Sequence, residues 1–143
     1  IRSYQRQHPD LLVVIDYLQL MDAAGRYESR QTLVSAITRK LKAAALTLQV
    51  PIVLLAQLNR ESESRADKRP VAADLRESGS VEQDADLVAL LHREDVYDKE
   101  SPRAGEMDII IAKNRSGATR TLSAAALLHY MDVRDMAYDS GGF

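Results

Sequence analysis

Apolar side chains fall along this chain in two rhythms. Leu11-Leu12-Val13-Val14-Ile15 is unbroken and rich in β-branched residues. Such a run predicts a strand buried on both faces, as in a parallel sheet. Pro9-Asp10 punctuates its entry. Further on, the spacing changes to steps of three and four. Leu33, Val34, Ile37, Leu41, Ala44, Ala45 and Leu48 share one face of a helix predicted over 30–49, with Ser29 as its N-cap. Arg39, Lys40 and Lys42 fall largely off that face. Pro51 stops the helix and opens a second apolar run, Ile52-Val53-Leu54-Leu55-Ala56. A strand, helix and strand with two apolar strands imply a right-handed crossover and parallel pairing.

The pattern then loosens. Residues 22–28, around Gly25, read as a mobile connection. Residues 60–80 alternate Arg60, Arg65, Lys68, Arg69 and Arg76 with Glu61, Glu63, Asp67 and Asp74, and hold Pro70 and Gly79. They read as loops with one short helical turn. Residues 87–91 predict a third strand, Ile109-Ile110-Ile111-Ala112 a fourth and residues 121–128 a fifth. Pro102 and Gly105 mark the polar loop before the fourth. The tail at 139–143 is expected to fray. The fold class is α/β, a parallel sheet with a C-terminal antiparallel extension.

Composition narrows the classes. At 143 residues, 45% apolar and 28% charged, the chain suits one globular domain. A net charge of −2 gives no bulk sign of a nucleic-acid or membrane partner, so any phosphate contact must be local. With no cysteine, disulfides and cysteine-ligated zinc are excluded, and a reducing cytoplasm fits. No apolar run approaches the roughly 18 residues a membrane span needs. The chain opens on Ile1, as expected of a segment from inside a longer protein.

Four motifs carry candidate chemistry. Asp16 ends the first apolar strand, at the sheet edge where open α/β folds bind ligands. A carboxylate there can hold Mg²⁺ beside nucleotide phosphates, or simply cap the next turn. Gln57, directly after the second strand, can sense a γ-phosphate or orient water, or be an ordinary loop residue. In the stretch 74–86, small residues around Gly79 can aim backbone N–H groups at a phosphate, with Arg76 adding charge. The same residues also fit a solvated turn. Lys113 and Arg115 alternate after the fourth strand. They can reach a phosphate on another subunit, where an arginine is worth about 10³–10⁵ in rate, or be exposed charges at a hairpin turn. His8, His92 and His129 lack metal-ligand spacing, and the six tyrosines form no stacking ladder.

Taken in order, these motifs resemble the RecA-like motor domain of DnaB-type bacterial replicative helicases along nearly the whole chain. The matching wording is Ile15-Asp16-Tyr17-Leu18-Gln19-Leu20-Met21, Gln57-Leu58-Asn59-Arg60, Arg65-Ala66-Asp67-Lys68-Arg69-Pro70, residues 74–86, and Lys113-x-Arg115-x-Gly117. Residues 74–86 are the most diagnostic, and they disfavour a RecA-like recombinase or a clock-type ATPase. The resemblance implies that residues 1–143 are the C-terminal portion of a P-loop ATPase domain using ATP and Mg²⁺. It implies that Asp16 is the Walker B carboxylate serving Mg²⁺ and that Gln57 links the γ-phosphate state to DNA-facing loops. It places Arg76, Glu77 and Gly79 in the loop gripping single-stranded DNA. It makes Lys113 and Arg115 the cationic finger that enters a neighbour's ATP site. It further implies a homohexamer that binds a primase and a loader.

The departures are also definite. The phosphate-binding loop of the family, G-x-x-x-x-G-K-S/T, is absent, since no Gly-Lys pair occurs anywhere. The 143-residue chain alone is therefore expected not to hydrolyse ATP. Gly117-Ala118 stands where the family has Gly-Pro, and Met131-Asp132-Val133 where it has an Arg-Phe pair. The alternative class is a non-catalytic DNA-binding or interaction module derived from the same fold.

Overall fold

A computed structural model describes residues 1–136, and at 60, 61 and 76–79 the backbone alone. The frayed end expected at 139–143 lies outside the described residues. The chain forms two compact units, Ile1–Lys68 with Ala73–Ala85, and Arg69–Ala72 with the chain from Asp86 onward.

In the first unit a single helical turn, α1 (Arg2–Gln5), precedes strand β1 (Val13–Ile15), helix α2 (Arg30–Leu48), strand β2 (Ile52–Leu54) and helix α3 (Gly79–Asp84). Strands β1 and β2 pair in parallel, Val13 with Ile52 and Ile15 with Leu54, as the two apolar runs predict. Helix α2 begins where expected. The Ser29 hydroxyl accepts the Thr32 N–H at 3.2 Å, and the Thr32 hydroxyl accepts the Ser29 N–H at 3.1 Å. Two of the orphan donors at the helix start are thereby satisfied. The helix closes on Gln49 in the left-handed conformation that usually falls to glycine, with φ at 51°, just before Pro51.

The periodic face of α2 supplies the core. Leu18, Val34 and Ile37 are buried, and Met21, Leu33, Leu41, Leu54, Ala56 and Val81 pack around them. Full burial of each such side chain is worth about 1.5–3 kcal/mol. Thr38 on α2 donates to the Asp84 carboxylate at 2.6 Å, pinning α3 onto the same helix. One expectation needs correction. The parallel strands are not covered on both faces, since Val14 is 58% and Val53 44% exposed on the same row. The side of Leu54 meets the core, while the side of Val14 and Val53 meets no comparable layer among the described residues.

The second unit is an antiparallel meander of β3 (Leu87–His92), β4 (Glu106–Asn114), β5 (Arg120–Leu127) and β6 (Asp132–Asp135). Its ladder is separate from that of β1 and β2, so the antiparallel strands do not continue the parallel pairing. Strand β3 alternates, with Val88, Leu90 and His92 buried and Leu87 and Leu91 exposed. Strand β6 had no apolar signal, because three of its four residues are charged.

Asp108, 3% exposed, anchors this unit. Arg103 donates to both its oxygens at 2.9 and 2.6 Å, Arg69 donates at 2.8 Å and the Ser123 hydroxyl at 2.9 Å. These hydrogen bonds, those from Arg103 foremost, hold its carboxyl far below the usual range. His92 is its ladder partner and stacks on Tyr97 at 6.1 Å. Burial, followed by the nearby Arg69 charge, pushes the imidazole below its ordinary pKa. His92 is thus structural, as its isolation in the sequence suggests.

Candidate functional site

The first unit brings Asp16 and Gln57 to one edge. The last ladder bonds run from the Leu55 N–H to the Ile15 carbonyl at 2.9 Å and from the Leu18 N–H to the Leu55 carbonyl at 2.8 Å. Asp16 follows β1 directly and Gln57 lies just past β2, so both leave the C-terminal ends of neighbouring parallel strands. Both are exposed. Neither side chain makes a hydrogen bond or ion pair among the described residues. Polar groups that are neither buried nor paired at a strand end are available to a ligand.

The turn after Asp16 is firmly held. Leu18 is fully buried beneath it. Arg30, at the start of α2, donates to the Gln19 carbonyl at 2.7 Å. The Gln19 side chain then grips the backbone of Gln57. Its Nε2 donates to the Gln57 carbonyl at 3.0 Å, and its Oε1 accepts the Gln57 N–H at 3.2 Å. Nothing in the sequence singles out Gln19 beyond its place in the 15–21 motif.

The donor set can be weighed against Mg²⁺. No group of three or more histidine, cysteine or carboxylate side chains is placed to hold a metal among the described residues. At the end of β1 the donor is a single exposed carboxylate, Asp16. That suits Mg²⁺, which keeps several waters and takes one or two carboxylates plus substrate phosphates. It does not suit an ion caged wholly by protein.

Beyond Gln57, the Asn59 N–H donates to the Asp74 carbonyl at 2.9 Å. The Asp74 carboxylate is buried and takes both terminal nitrogens of Arg65. The segment after β2 is therefore tied to the run entering residues 76–79. The backbone there is two short helical turns within Ala72–Ser78, broken by a kink at Leu75, leading into α3. The candidate contacts of Arg76, Glu77 and Gly79 lie outside the described residues.

Lys113 and Arg115 belong to the second unit. The register slips between Val88 and Ala89, leaving Ala112 as an extra residue in β4. Such a bulge re-aims the side chains that follow it. Lys113 then pairs with Val88, and the Arg115 N–H extends the ladder by donating to the Asp86 carbonyl at 2.8 Å. The strand ends at Asn114 and Arg115 already lies in the turn, so the extended backbone on which a shared direction for the two cations depends stops between them. The hairpin turn beyond them is set by Asn114, whose Oδ1 accepts the Ser116 N–H at 3.2 Å. A Cβ at Gly117 would meet the Asn114 side-chain amide at 2.9 Å, so a larger residue there would displace that amide.

Asp16 and Gln57 lie at the C-terminal edge of the parallel strands, the edge at which open α/β domains bind their ligands. The model of the DnaB-like helicase C-terminal domain matches residues 1–135, and the chain belongs to that family. It is 57% identical over 126 residues to a replicative DNA helicase of Leifsonia xyli subsp. xyli, covering 88% of this chain and 28% of that one. It is 53% identical over 133 residues to one from Mycobacterium leprae, covering 92% and 22%. A solved DnaB-like replicative helicase, described with its interactions with primase, superimposes with a TM-score of 0.89 at 44% identity. The match covers 94% of this chain and 34% of that one. The chain thus spans about a quarter of the length of its curated relatives. The RecA-like fold expected from the motifs is borne out by these neighbours. No described helix is long and apolar enough to cross a membrane.

Proposed function

We propose that the chain is the C-terminal portion of the motor domain of a replicative DNA helicase. That enzyme couples ATP hydrolysis to movement along single-stranded DNA and to unwinding of the duplex. The observation that carries this reading is the shared edge of Asp16 and Gln57, whose side chains are both exposed and unpaired among the described residues, in a chain of the DnaB-like helicase family.

Asp16 would hold Mg²⁺, which when bound would supply positive charge against the phosphates of ATP. Gln57 hydrogen-bonds at the γ-phosphate position and, through Asn59 and Asp74, leads toward the DNA loop. Arg76, Glu77 and the backbone at Gly79 meet the phosphates of single-stranded DNA without reading bases. Lys113 and Arg115 enter the ATP site of the next subunit and stabilise charge as the phosphoryl group transfers. The working assembly is a homohexamer in the bacterial cytoplasm, served by a primase and a loader. The solved relative described with primase supports the primase partner.

The test is made on the full-length protein that contains this chain. Single-stranded DNA should stimulate its ATP hydrolysis, forked duplexes should be unwound, and Asp16→Asn should abolish both. Turnover that survives Asp16→Asn would remove the Mg²⁺ role. DNA binding by the wild type without any ATP hydrolysis would favour the non-catalytic module instead.

A further inference from the structure

We infer that Gln19 is a positioning residue, whose side-chain amide fixes Gln57 at the nucleotide edge in register with Asp16. This rests on the proposed role of Gln57.

The parallel ladder runs out at Leu55, whose carbonyl takes the Leu18 N–H. Two residues later Gln57 would have no strand beside it, because the chain after Asp16 has turned away into Leu18–Leu20. In an extended strand the N–H and C=O of one residue point the same way. A single primary amide has one donor side and one acceptor side and can bond both at once. Gln19 does this, at 3.0 and 3.2 Å, and so adds one side-chain rung to the ladder. The rung joins the turn that carries Asp16 to the residue that carries the candidate sensor amide.

The turn that carries Gln19 is held by two neighbours. Leu18 before Gln19 is fully buried, Arg30 donates to the Gln19 carbonyl at 2.7 Å, and Arg30 also reaches the Met21 carbonyl at 3.4 Å. Gln57 is exposed, so breaking the rung leaves its backbone groups to water rather than stranding them in the core. Loss of Gln19 therefore disturbs orientation far more than folding. Misplacing a reacting group by about 1 Å can cost on the order of 10²-fold in rate.

The experiment compares Gln19→Leu, Gln19→Glu and Gln57→Ala in the full-length protein, measuring kcat for ATP hydrolysis, Kd for ATP and Tm. Gln19→Leu should lower kcat by about 10²-fold, with Kd and Tm unchanged. Gln19→Glu keeps the acceptor for the Gln57 N–H and should restore part of kcat. A merely structural residue would lower Tm and would not separate kcat from Kd. Wild-type kcat in Gln19→Leu beside an inactive Gln57→Ala overturns this inference alone. Wild-type kcat in Gln57→Ala overturns the role of Gln57 beneath it. If Gln19→Leu loses cooperative unfolding, Gln19→Glu decides: reduced kcat at unchanged Tm supports the rung, and wild-type kcat rejects it.

Discussion

Arg115 and Asp86 face each other across an extension of the β3–β4 ladder, backbone to backbone at 2.8 Å and guanidinium to carboxylate at 3.2 Å. Both side chains are more than half exposed. An ion pair of that kind is worth about 0.2–1 kcal/mol. The backbone bond fixes where Arg115 leaves the sheet, while the weak side-chain pair leaves the guanidinium cheap to redirect. Arg115 can therefore exchange Asp86 for a more highly charged phosphate.

For the proposed finger, Arg115→Ala in the full-length protein should lower ATP turnover by about 10³–10⁵ while nucleotide binding is largely kept. Steady-state turnover read beside equilibrium nucleotide binding checks this. Turnover near wild type would remove the finger role and leave Arg115 as a hairpin charge.

Arg76 is proposed to meet DNA phosphate. Arg76→Ala should weaken binding to single-stranded DNA equally across sequences. It should also reduce the slope of log K against log salt by about 0.7, the share of one phosphate contact on a single strand. Binding titrations at several salt concentrations measure that slope. An unchanged slope would rule out the contact.

Asp108 gives a stability prediction that is independent of function. Its carboxyl titrates far below an unfolded aspartate, near 3.9, because Arg103, Arg69 and Ser123 bond the charged form. A depressed pKa contributes stability that is complete above the unfolded value and is lost as pH falls toward the folded one. Denaturant midpoints should therefore fall from pH 5 toward pH 2, and Asp108→Asn should flatten part of that acid limb. Asp108→Ala should cost about 1.5–3 kcal/mol at neutral pH, because it removes the charged acceptor of Arg103, Arg69 and Ser123, while both arginines stay part-exposed and Arg103 keeps Glu106. A cost under about 1 kcal/mol, the level of an exposed pair, would mean the cluster is solvent-screened.

Much of the first unit was legible from periodicity. The spacing of Leu33, Val34, Ile37 and Leu41 located helix α2, Ser29 located its start and Pro51 its end. The apolar runs ending at Ile15 and Ala56 named both parallel strands. Asp16 and Gln57 followed as candidates because they sit directly after those runs. Lys113 and Arg115 stood out by their alternate spacing, which gave no sign that β4 ends between them.

Other features left no local trace. Strand β6 is mostly charged and exists because its backbone completes the edge of β5. The role of Asp108 depends on Arg69, which lies 39 residues away. Helix α3 was read only as a Gly-centred turn, because its contacts with α2 through Asp84 and Val81 are distant in sequence. Leu12 and Val14 misled in the other direction, since an unbroken apolar run does not say what covers its second face.

The sequence by itself determined the order of strands and helix, the caps, the family and the residue types available for chemistry. Each of those rests on interactions within a few residues or on wording read in a line. Tertiary structure alone decided that Gln19 holds Gln57, that Asp86 faces Arg115, and that Asp108 gathers Arg69, Arg103 and Ser123. Hydrogen bonds of that kind depend on distance and angle in space, and all of these but the Arg103–Asp108 pair join residues 15–39 positions apart, which meet only after the chain has folded.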